Sequence, residues 1–262
     1  MNKKFYLYTN GTSVTAGGGF EEYEYRTDVR NAYSKKQIEL PKLQLECSYP
    51  FYIANELNVK LINDAKSGSG VGRLVRTTYN WINKNKHKIK DTLFLLEFQL
   101  GVRIDFYMSE YNDYLVLNAH LSDDNEIHWT LVKEWFKQDK GEVNLINEKY
   151  KEKIETYLYN FWNILEQERR DRMETELLIG YMDSLKLDYI VSIDYNTSSL
   201  MEKIIYSKSV KNILDGATIL QYANHNKLII YDEVDVNDNH ISYTGNQLIG
   251  KKIGEYIKNL YT

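Results

Sequence analysis

Cysteine and proline are scarce in this chain, which has one cysteine and two prolines among 262 residues. Because Cys47 is the only cysteine, a disulfide framework and a metal site built from several cysteines are both excluded. A chain of this length buries about three quarters of its extended surface on folding, so it needs no such cross-link to close a core. No long low-complexity linker interrupts the sequence. We therefore expect a protein of a reducing compartment that folds on its hydrophobic core alone.

Strong charge of one sign is also absent, since 33 basic and 37 acidic side chains leave a formal net charge of −4. Electrostatic binding of nucleic acid needs a clustered basic surface, and the one basic run, from Lys84 to Lys90, is typical of a solvated helix end. The apolar run Leu93–Leu96 is far shorter than the roughly 18–20 residues of a membrane-spanning helix. No apolar signal core follows Lys3 and Lys4. The sequence therefore predicts a cytoplasmic protein with no nucleic-acid partner and no membrane span.

Short apolar segments alternate with helical patterns along most of the chain. This alternation is typical of a mostly parallel sheet covered by helices, and hence of the α/β class. The segment Thr92–Phe98 is nearly all apolar, as expected for a strand covered on both faces. The predicted strands are Lys4–Thr9, Val59–Ile62, Thr92–Phe98, Leu187–Ile193 and Lys227–Tyr231, and the predicted helices are Pro50–Leu57, Val71–Ile82 and a C-terminal helix with a capping-box spacing from Thr244 to Gln247 and a core face of Ile249, Ile253, Tyr256, Ile257 and Leu260.

The segment from about 101 to 183 departs from this alternation. It begins with a hairpin or loop pattern over Phe106–Leu117 and continues into a long helix over Tyr150–Arg172. We predict one domain over residues 1–262, with 101–183 as a largely helical insert. The long helix either packs on the sheet edge or forms a partner-binding or oligomerisation arm. Four aromatic residues are either core or a carbohydrate-stacking surface: Trp129, Trp135, Phe136 and Trp162. The apolar stripe of the helix comprises Ile154, Tyr157, Leu158, Phe161, Ile164 and Leu165.

Three polar clusters that lie far apart in the sequence carry the candidate chemistry. Ser13 follows the first strand, on a turn between Gly11 and Gly17, where its backbone N–H can face a developing negative charge. Gly68 follows the second strand and has no side chain to keep an oxyanion away from its N–H. His240 precedes the last helix and could act as the base for Ser13. Together they have the parts of an acyl-transfer site.

These clusters, taken in order, resemble the conserved blocks of the SGNH/GDSL hydrolase family. Gly11-Thr12-Ser13-Val14-Thr15-Ala16-Gly17 is similar to the family's first block, Gly-Asp-Ser followed by small residues. The family's second block, an asparagine shortly before an essential glycine, resembles Asn63 to Gly68, with Arg73 further on. Asp238-Asn239-His240-Ile241-Ser242 looks like the last block. The resemblance covers roughly residues 4–98 and 227–260.

The resemblance implies a three-layer α/β/α, flavodoxin-like SGNH fold and a role for each matching residue. Ser13 would be the nucleophile, His240 the base and Asp238 the group that orients the imidazole. The backbone N–H groups of Ser13 and Gly68 would form the oxyanion hole. The implied reaction is hydrolysis of an O-acyl ester of a small molecule or carbohydrate through an acyl-serine, and neither a metal nor an organic cofactor is implied.

The chain departs from the family pattern at three positions. Thr12 stands where the family has an aspartate that shapes the nucleophile turn. The third block, Gly-x-Asn-Asp, is missing after the strand Thr92–Phe98. We predict that the amide of Gln99 takes the place of its oxyanion-binding asparagine. The family's acid precedes the histidine by three positions, where this chain has Asn237. Asp238 is therefore one residue out of place, and Asp235 is a second candidate.

Three functions stay open on the sequence. The first is a serine esterase, in particular an O-deacetylase. The second is a carbohydrate O-acetyltransferase on the same fold, which shares the chemistry until deacylation. The third is a non-catalytic binding or structural module, suggested by the missing third block and the displaced acid. The sequence leaves the oligomeric state undetermined.

Overall fold

The computed structural model describes residues 4–17, 45–66, 68–100, 103–108, 113–121, 127–131, 140–194, 209–229 and 240–261. Strands and helices alternate over its first hundred residues. The strands are β1 (Tyr6–Asn10), β2 (Lys60–Asn63), β3 (Thr92–Gln99), β4 (Arg103–Met108), β5 (Asp113–Leu121), β6 (Ile127–Leu131) and β7 (Asp188–Asp194). The α-helices are α1 (Ser13–Ala16), α2 (Tyr49–Leu57), α3 (Val71–Lys84), α4 (Lys140–Asn160), α5 (Ile164–Ser184), α6 (Ile219–His225) and α7 (Tyr243–Tyr261).

The main sheet has the order β2-β1-β3-β7, and all its neighbouring strands are parallel. This is the start of the flavodoxin-like order, in which β2 and β3 lie on opposite sides of β1. Ligands of such sheets bind at the carboxyl ends of the strands where the order reverses, which here is the gap between β1 and β3. The α/β class and four of the five predicted strands are confirmed.

Alternate residues of β3 face two separate cores, which explains why the strand is apolar along most of its length. Phe94 and Leu96 point to one core, shared with α3 and α5. Leu93 and Leu95 point to the other, shared with α2, α6 and α7. The sheet is therefore the middle of three layers, as the resemblance implied.

The segment between β3 and β7 contains both sheet and helix. β4, β5 and β6 form an antiparallel sheet of three strands, of which the sequence predicted only the first hairpin. The prediction of one long helix over Tyr150–Arg172 was wrong, because α4 ends at Asn160 and α5 starts at Ile164. Asn163 separates them, since its side chain accepts hydrogen bonds from the N–H groups of Leu165 and Glu166.

The predicted apolar stripe is split by this break. Ile154, Leu158 and Trp162 are buried, whereas Phe161 and Leu165 are each 71% exposed. Trp162 therefore packs in the interior rather than forming a stacking surface. Trp135 and Phe136 lie outside the described residues, and so does the side chain of Trp129.

The predicted fifth strand, Lys227–Tyr231, was also wrong over its described part. Lys227 has a φ of +55°, a turn conformation, and Ile229 forms only an isolated antiparallel bridge with Ile241. The last helix is capped by Ser242 rather than Thr244, because the Ser242 hydroxyl accepts a hydrogen bond from the N–H of Gly245 at 3.1 Å. Its buried face contains Ile249, Ile253 and Ile257, but Tyr256 and Leu260 of the predicted core face are exposed.

Helices α2 and α7 pack closely at Gly250. A β-carbon at this position would lie 2.6 Å from the carbonyl oxygen of Tyr49. The contact joins the start of α2 to α7, and both helices contribute to the site described below. None of the described helices has the length and apolar character needed to cross a membrane.

Candidate active site

Ser13 is the first residue of α1, directly after the carboxyl end of β1. Thr12 is its N-cap, in an extended conformation, and Gly17 ends the single turn with a φ of +79°. Ser13 is half-buried. The expected presentation of this serine at the amino end of a helix is therefore what the chain adopts, at the edge where α/β sheets bind ligands.

A buried carboxylate, Glu97 of the neighbouring strand β3, accepts hydrogen bonds from this turn. Its Oε1 accepts from the Thr12 hydroxyl at 2.9 Å, and its Oε2 accepts from the N–H groups of Thr12 and Thr15 at 3.3 and 3.2 Å. The Thr15 hydroxyl also donates to Oε2. Glu97 is 2% exposed, so four donors from both sides of Ser13 take the place of water around it.

The absence of a side chain at Gly11 allows the turn to lie so close to Glu97. A β-carbon at Gly11 would be 2.8 Å from the Cβ of Glu97 and 2.6 Å from the hydroxyl of Thr15. Both distances are shorter than an ordinary non-bonded contact, so a larger residue would have to displace one of these groups.

The loop after β2 is hydrogen-bonded to the Ser13 turn. The N–H of Lys66 donates to the carbonyl oxygen of Gly11 at 3.2 Å, and Asn63 Nδ2 donates to the carbonyl oxygen of Thr15 at 3.2 Å. Gly68, in the same loop, has a φ of +76°, a conformation that favours glycine. The turns that carry Ser13 and Gly68 are therefore neighbours.

Two side chains, one from β1 and one from α3, form hydrogen bonds to this loop. Arg73 Nη1 donates to the carbonyl oxygen of Asp64 at 2.9 Å, and the Tyr8 hydroxyl donates to Asp64 Oδ2 at 3.0 Å. Burial, with a further contribution from the Asp64 charge, raises the pKa of Tyr8. Burial lowers the pKa of Arg73, which the Asp64 charge opposes. Tyr8 therefore stays protonated and acts as a donor.

Gln99 is the last residue of β3 and is half-buried. It pairs with Asp194 at the end of β7. Its position places it at the same carboxyl edge of the sheet as Ser13.

His240 is half-buried and lies just before Ile241, whose bridge to Ile229 fixes the backbone there. Asn246, in the first turns of α7, donates through Nδ2 to the carbonyl oxygens of Ile241 and Ser242 at 3.0 and 3.1 Å. Asp238 and Asp235, the candidate acids, lie outside the described residues, as does Asn237.

A cavity of about 580 Å³ lies between α3, β4, α4 and α5, lined by charges of both signs. Arg76 Nη2 contacts Asp105 Oδ2 at 2.9 Å. Burial raises the pKa of Asp105, although the attraction of Arg76 opposes this. Burial together with the Asp105 charge raises the pKa of Glu174.

β4 also contacts the loop after β2, because Arg103 Nη1 donates to the carbonyl oxygen of Ser69 at 2.8 Å. Among the described residues, no group of three His, Cys, Asp or Glu side chains could hold a metal ion.

The chain is similar to solved structures of esterases. The psychrotrophic esterase EstA from Pseudoalteromonas sp. is 12% identical over 97% of each chain, with a TM-score of 0.45. A protein of the G-D-S-L family from Desulfitobacterium hafniense DCB-2 is 10% identical over 96% of this chain and 99% of its own, with a TM-score of 0.44. The acetyl xylan esterase Est2A from Butyrivibrio proteoclasticus is 11% identical over 99% of this chain and 65% of its own, with a TM-score of 0.43.

No protein-family model matches the chain, and no curated protein matches it. The order of the parallel strands, β2-β1-β3-β7, is itself that of a flavodoxin-like sheet.

Sequence reasoning missed the buried residues whose hydrogen bonds connect the Ser13 turn to β3, α2 and α7: Glu97, Thr15, Tyr49 and Asn246. One signal for Glu97 was available, because a single carboxylate inside an otherwise apolar strand must find donors when it is buried. Thr15, Tyr49 and Asn246 gave no comparable signal, since their partners lie far away in the sequence.

Proposed function

We propose that the chain is a serine esterase that hydrolyses an O-acyl ester through an acyl-serine at Ser13. An O-acetyl ester of a small alcohol or carbohydrate is the proposed substrate class, on the resemblance of the sequence motifs to the SGNH/GDSL family. His240 is the proposed base, and Asp238 the group that orients it.

One observation carries this proposal: Ser13 starts a helical turn between β1 and β3 that is fixed on both sides by buried hydrogen bonds. A nucleophile needs such a fixed position, because small displacements from the attacking geometry cost much of the rate. The neighbouring loop contains Gly68 with a positive φ. The N–H groups of Ser13 and Gly68 are the proposed oxyanion donors, with the Gln99 side chain in place of the family's asparagine.

In the proposed reaction, His240 takes the proton of the Ser13 hydroxyl while Oγ forms a bond to the ester carbonyl carbon. The carbonyl electrons move to the oxygen, which the oxyanion donors stabilise. When they return, the bond to the alcohol oxygen breaks and His240 gives its proton to the leaving alcohol. Water then gives a proton to the same imidazole as its oxygen bonds to the acyl carbon. The bond from that carbon to Ser13 Oγ breaks, the acid leaves, and the imidazole returns the proton to Oγ.

Hydrolysis of p-nitrophenyl acetate by the wild-type chain and by Ser13→Ala tests the proposal. We expect Ser13→Ala to lower kcat by about 10⁴-fold or more, because loss of the nucleophile leaves only binding and oxyanion stabilisation. Ser184→Ala is the matched control, since Ser184 ends α5 at the opposite edge of the sheet and is exposed. Equal rates for wild type and Ser13→Ala would overturn the proposal.

Covalent labelling separates the enzyme from a non-catalytic module. A fluorophosphonate probe should label wild-type protein at Ser13 and should fail to label His240→Gln, which lacks the base. Folded wild-type protein that takes up no label would count in favour of the module. Transfer of acetyl to an added sugar in preference to water would identify the acyltransferase.

A further inference from the structure

We propose that a buried chain of hydrogen bonds, formed by Glu97, Thr15, Tyr49 and Asn246, fixes the Ser13 turn and the His240 segment relative to each other. The inference rests on the proposed function, in which these two segments supply nucleophile and base. The four residues are positioning residues, since each acts through the backbone next to Ser13 or His240.

The first half of the chain runs from β3 to α2. Thr15 has one hydroxyl proton, which it donates to Glu97, so the Tyr49 hydroxyl must be the donor in its 2.7 Å contact with Thr15. The bonds therefore all point toward the carboxylate. Successive bonds of one direction strengthen one another, and more so away from water.

The second half runs from α2 to the segment that follows His240. The backbone N–H of Tyr49 donates to Asn246 Oδ1 at 2.9 Å. Asn246 passes the connection on through Nδ2, which donates to the carbonyl oxygens of Ile241 and Ser242. One amide side chain thus ties the start of α2 to the residue after His240.

Burial makes this connection rigid. Thr15 and Tyr49 are fully buried, and Asn246 is 1% exposed. Water cannot replace a lost bond at such positions without a rearrangement, so a satisfied buried network specifies one arrangement. Four segments that are distant in sequence are held in this way: β3, α1, α2 and the start of α7.

Glu97 also accounts for the missing family aspartate at position 12. In this chain the hydroxyl of Thr12 and the N–H groups of the turn all reach a carboxylate, but that carboxylate comes from β3. The donors of the turn therefore reach a carboxyl group on the neighbouring strand. The substitution by threonine does not leave the turn without an acid.

Tyr49→Phe tests the proposal, because it removes one hydroxyl at the middle of the network. Tyr189→Phe is the matched control: its hydroxyl donates to Asp183 at 2.9 Å, at the amino end of β7 and so at the other edge of the sheet. Both variants lose a tyrosine hydroxyl that forms a hydrogen bond, and both should lower the denaturation midpoint. Only Tyr49→Phe should lower kcat, by about 10–100-fold with KM unchanged, as a displaced attacking geometry requires.

Thr15→Val and Thr15→Ser provide a second pair should Tyr49→Phe fail to fold. Serine keeps the hydroxyl and valine does not, so Thr15→Ser should recover most of the kcat that Thr15→Val loses. A role limited to packing would give the reverse, because valine matches threonine in shape and serine lacks its methyl group.

NMR gives a readout that does not depend on activity. The ring signals of His240 are those that disappear in the variant His240→Gln. The chemical shifts of these signals and of the Ser13 amide should both change in Tyr49→Phe and stay unchanged in Tyr189→Phe. Unchanged signals in both variants, or equal kcat values, would overturn the network. If wild-type protein neither hydrolyses ester nor takes up label, the proposed function falls, and the NMR shifts alone decide whether the two segments are coupled.

Discussion

Replacing Gly11 by alanine should destabilise the protein, although alanine is normally the more stabilising residue of the two. The new β-carbon would lie 2.6 Å from the Thr15 hydroxyl and 2.8 Å from both Cβ and Oε2 of Glu97. None of these atoms can move easily, because Thr15 and Glu97 are buried and hydrogen-bonded to each other. Relief of the contact must therefore bend the turn or break its bonds to the carboxylate.

The expected cost is about 1–3 kcal/mol, the usual range for an extra carbon forced into a packed interior. Gly180→Ala is the matched control, since Gly180 lies within α5 and a β-carbon there would meet nothing within 4 Å. That change should stabilise by about 0.5–1 kcal/mol, because alanine loses less backbone entropy in a helix. The same chemical change should thus have opposite signs at the two positions.

Urea denaturation of the two variants and the wild type measures these differences at a constant slope. Ester hydrolysis gives a second reading, because Ser13 is two residues after Gly11 and should move with the turn. A Gly11→Ala protein as stable and as active as wild type would show that the turn does not depend on its close approach to Glu97.

Three further predictions concern Gly68, Asn163 and Asp105. Gly68→Ala should cost about 1–2 kcal/mol, because φ at this position is +76°, and Gly68→Asn, which tolerates this conformation better, should cost less; denaturation measures both. Asn163→Ala should lower stability by about 0.5–2 kcal/mol in the same assay, because two N–H groups of α5 lose their acceptor, whereas the exposed Asn160→Ala should change it little. Since the folded-state pKa of Asp105 is raised above its ordinary value of 3.8, the folded state binds the proton more tightly and this group's contribution to stability falls as pH rises above 3.8. Between pH 3.8 and the folded-state pKa of Asp105, Asp105→Asn should therefore gain stability relative to wild type. If the free energy of unfolding of the variant instead falls relative to wild type as the pH rises, the pKa of Asp105 is not raised.

Much of the main sheet could be predicted from the sequence, because its strands are short apolar runs with local signals at their ends. The serine turn could be predicted too, since Gly11, Ser13 and Gly17 lie within one short stretch after β1. The break between α4 and α5 was missed for a physical reason: the apolar spacing continues through it. Only Asn163, a good capping residue in the middle of a helical pattern, marks the new start.

The support beneath the site could not be predicted in the same way. Glu97 is 82 residues from Thr15, and Asn246 is 197 residues from Tyr49. No periodicity connects residues at such separations, and only the parallel pairing of β1 with β3 brings the first pair together. An acid within an apolar strand indicates that donors exist, but the sequence does not say which residues supply them.

The energetics of Glu97 bear on the choice between an enzyme and a non-catalytic module. Removing a carboxylate from water is costly, and an apolar residue at position 97 alone would leave the N–H groups of Thr12 and Thr15 buried without this acceptor. A module that needed only the fold could avoid both costs with an apolar strand and a turn of different sequence. A chain that needs the Ser13 turn in one conformation gains from the acid, because four donors around one carboxylate allow few alternatives. The buried acid therefore favours a turn selected for its geometry, which is what a nucleophile requires and a structural module does not.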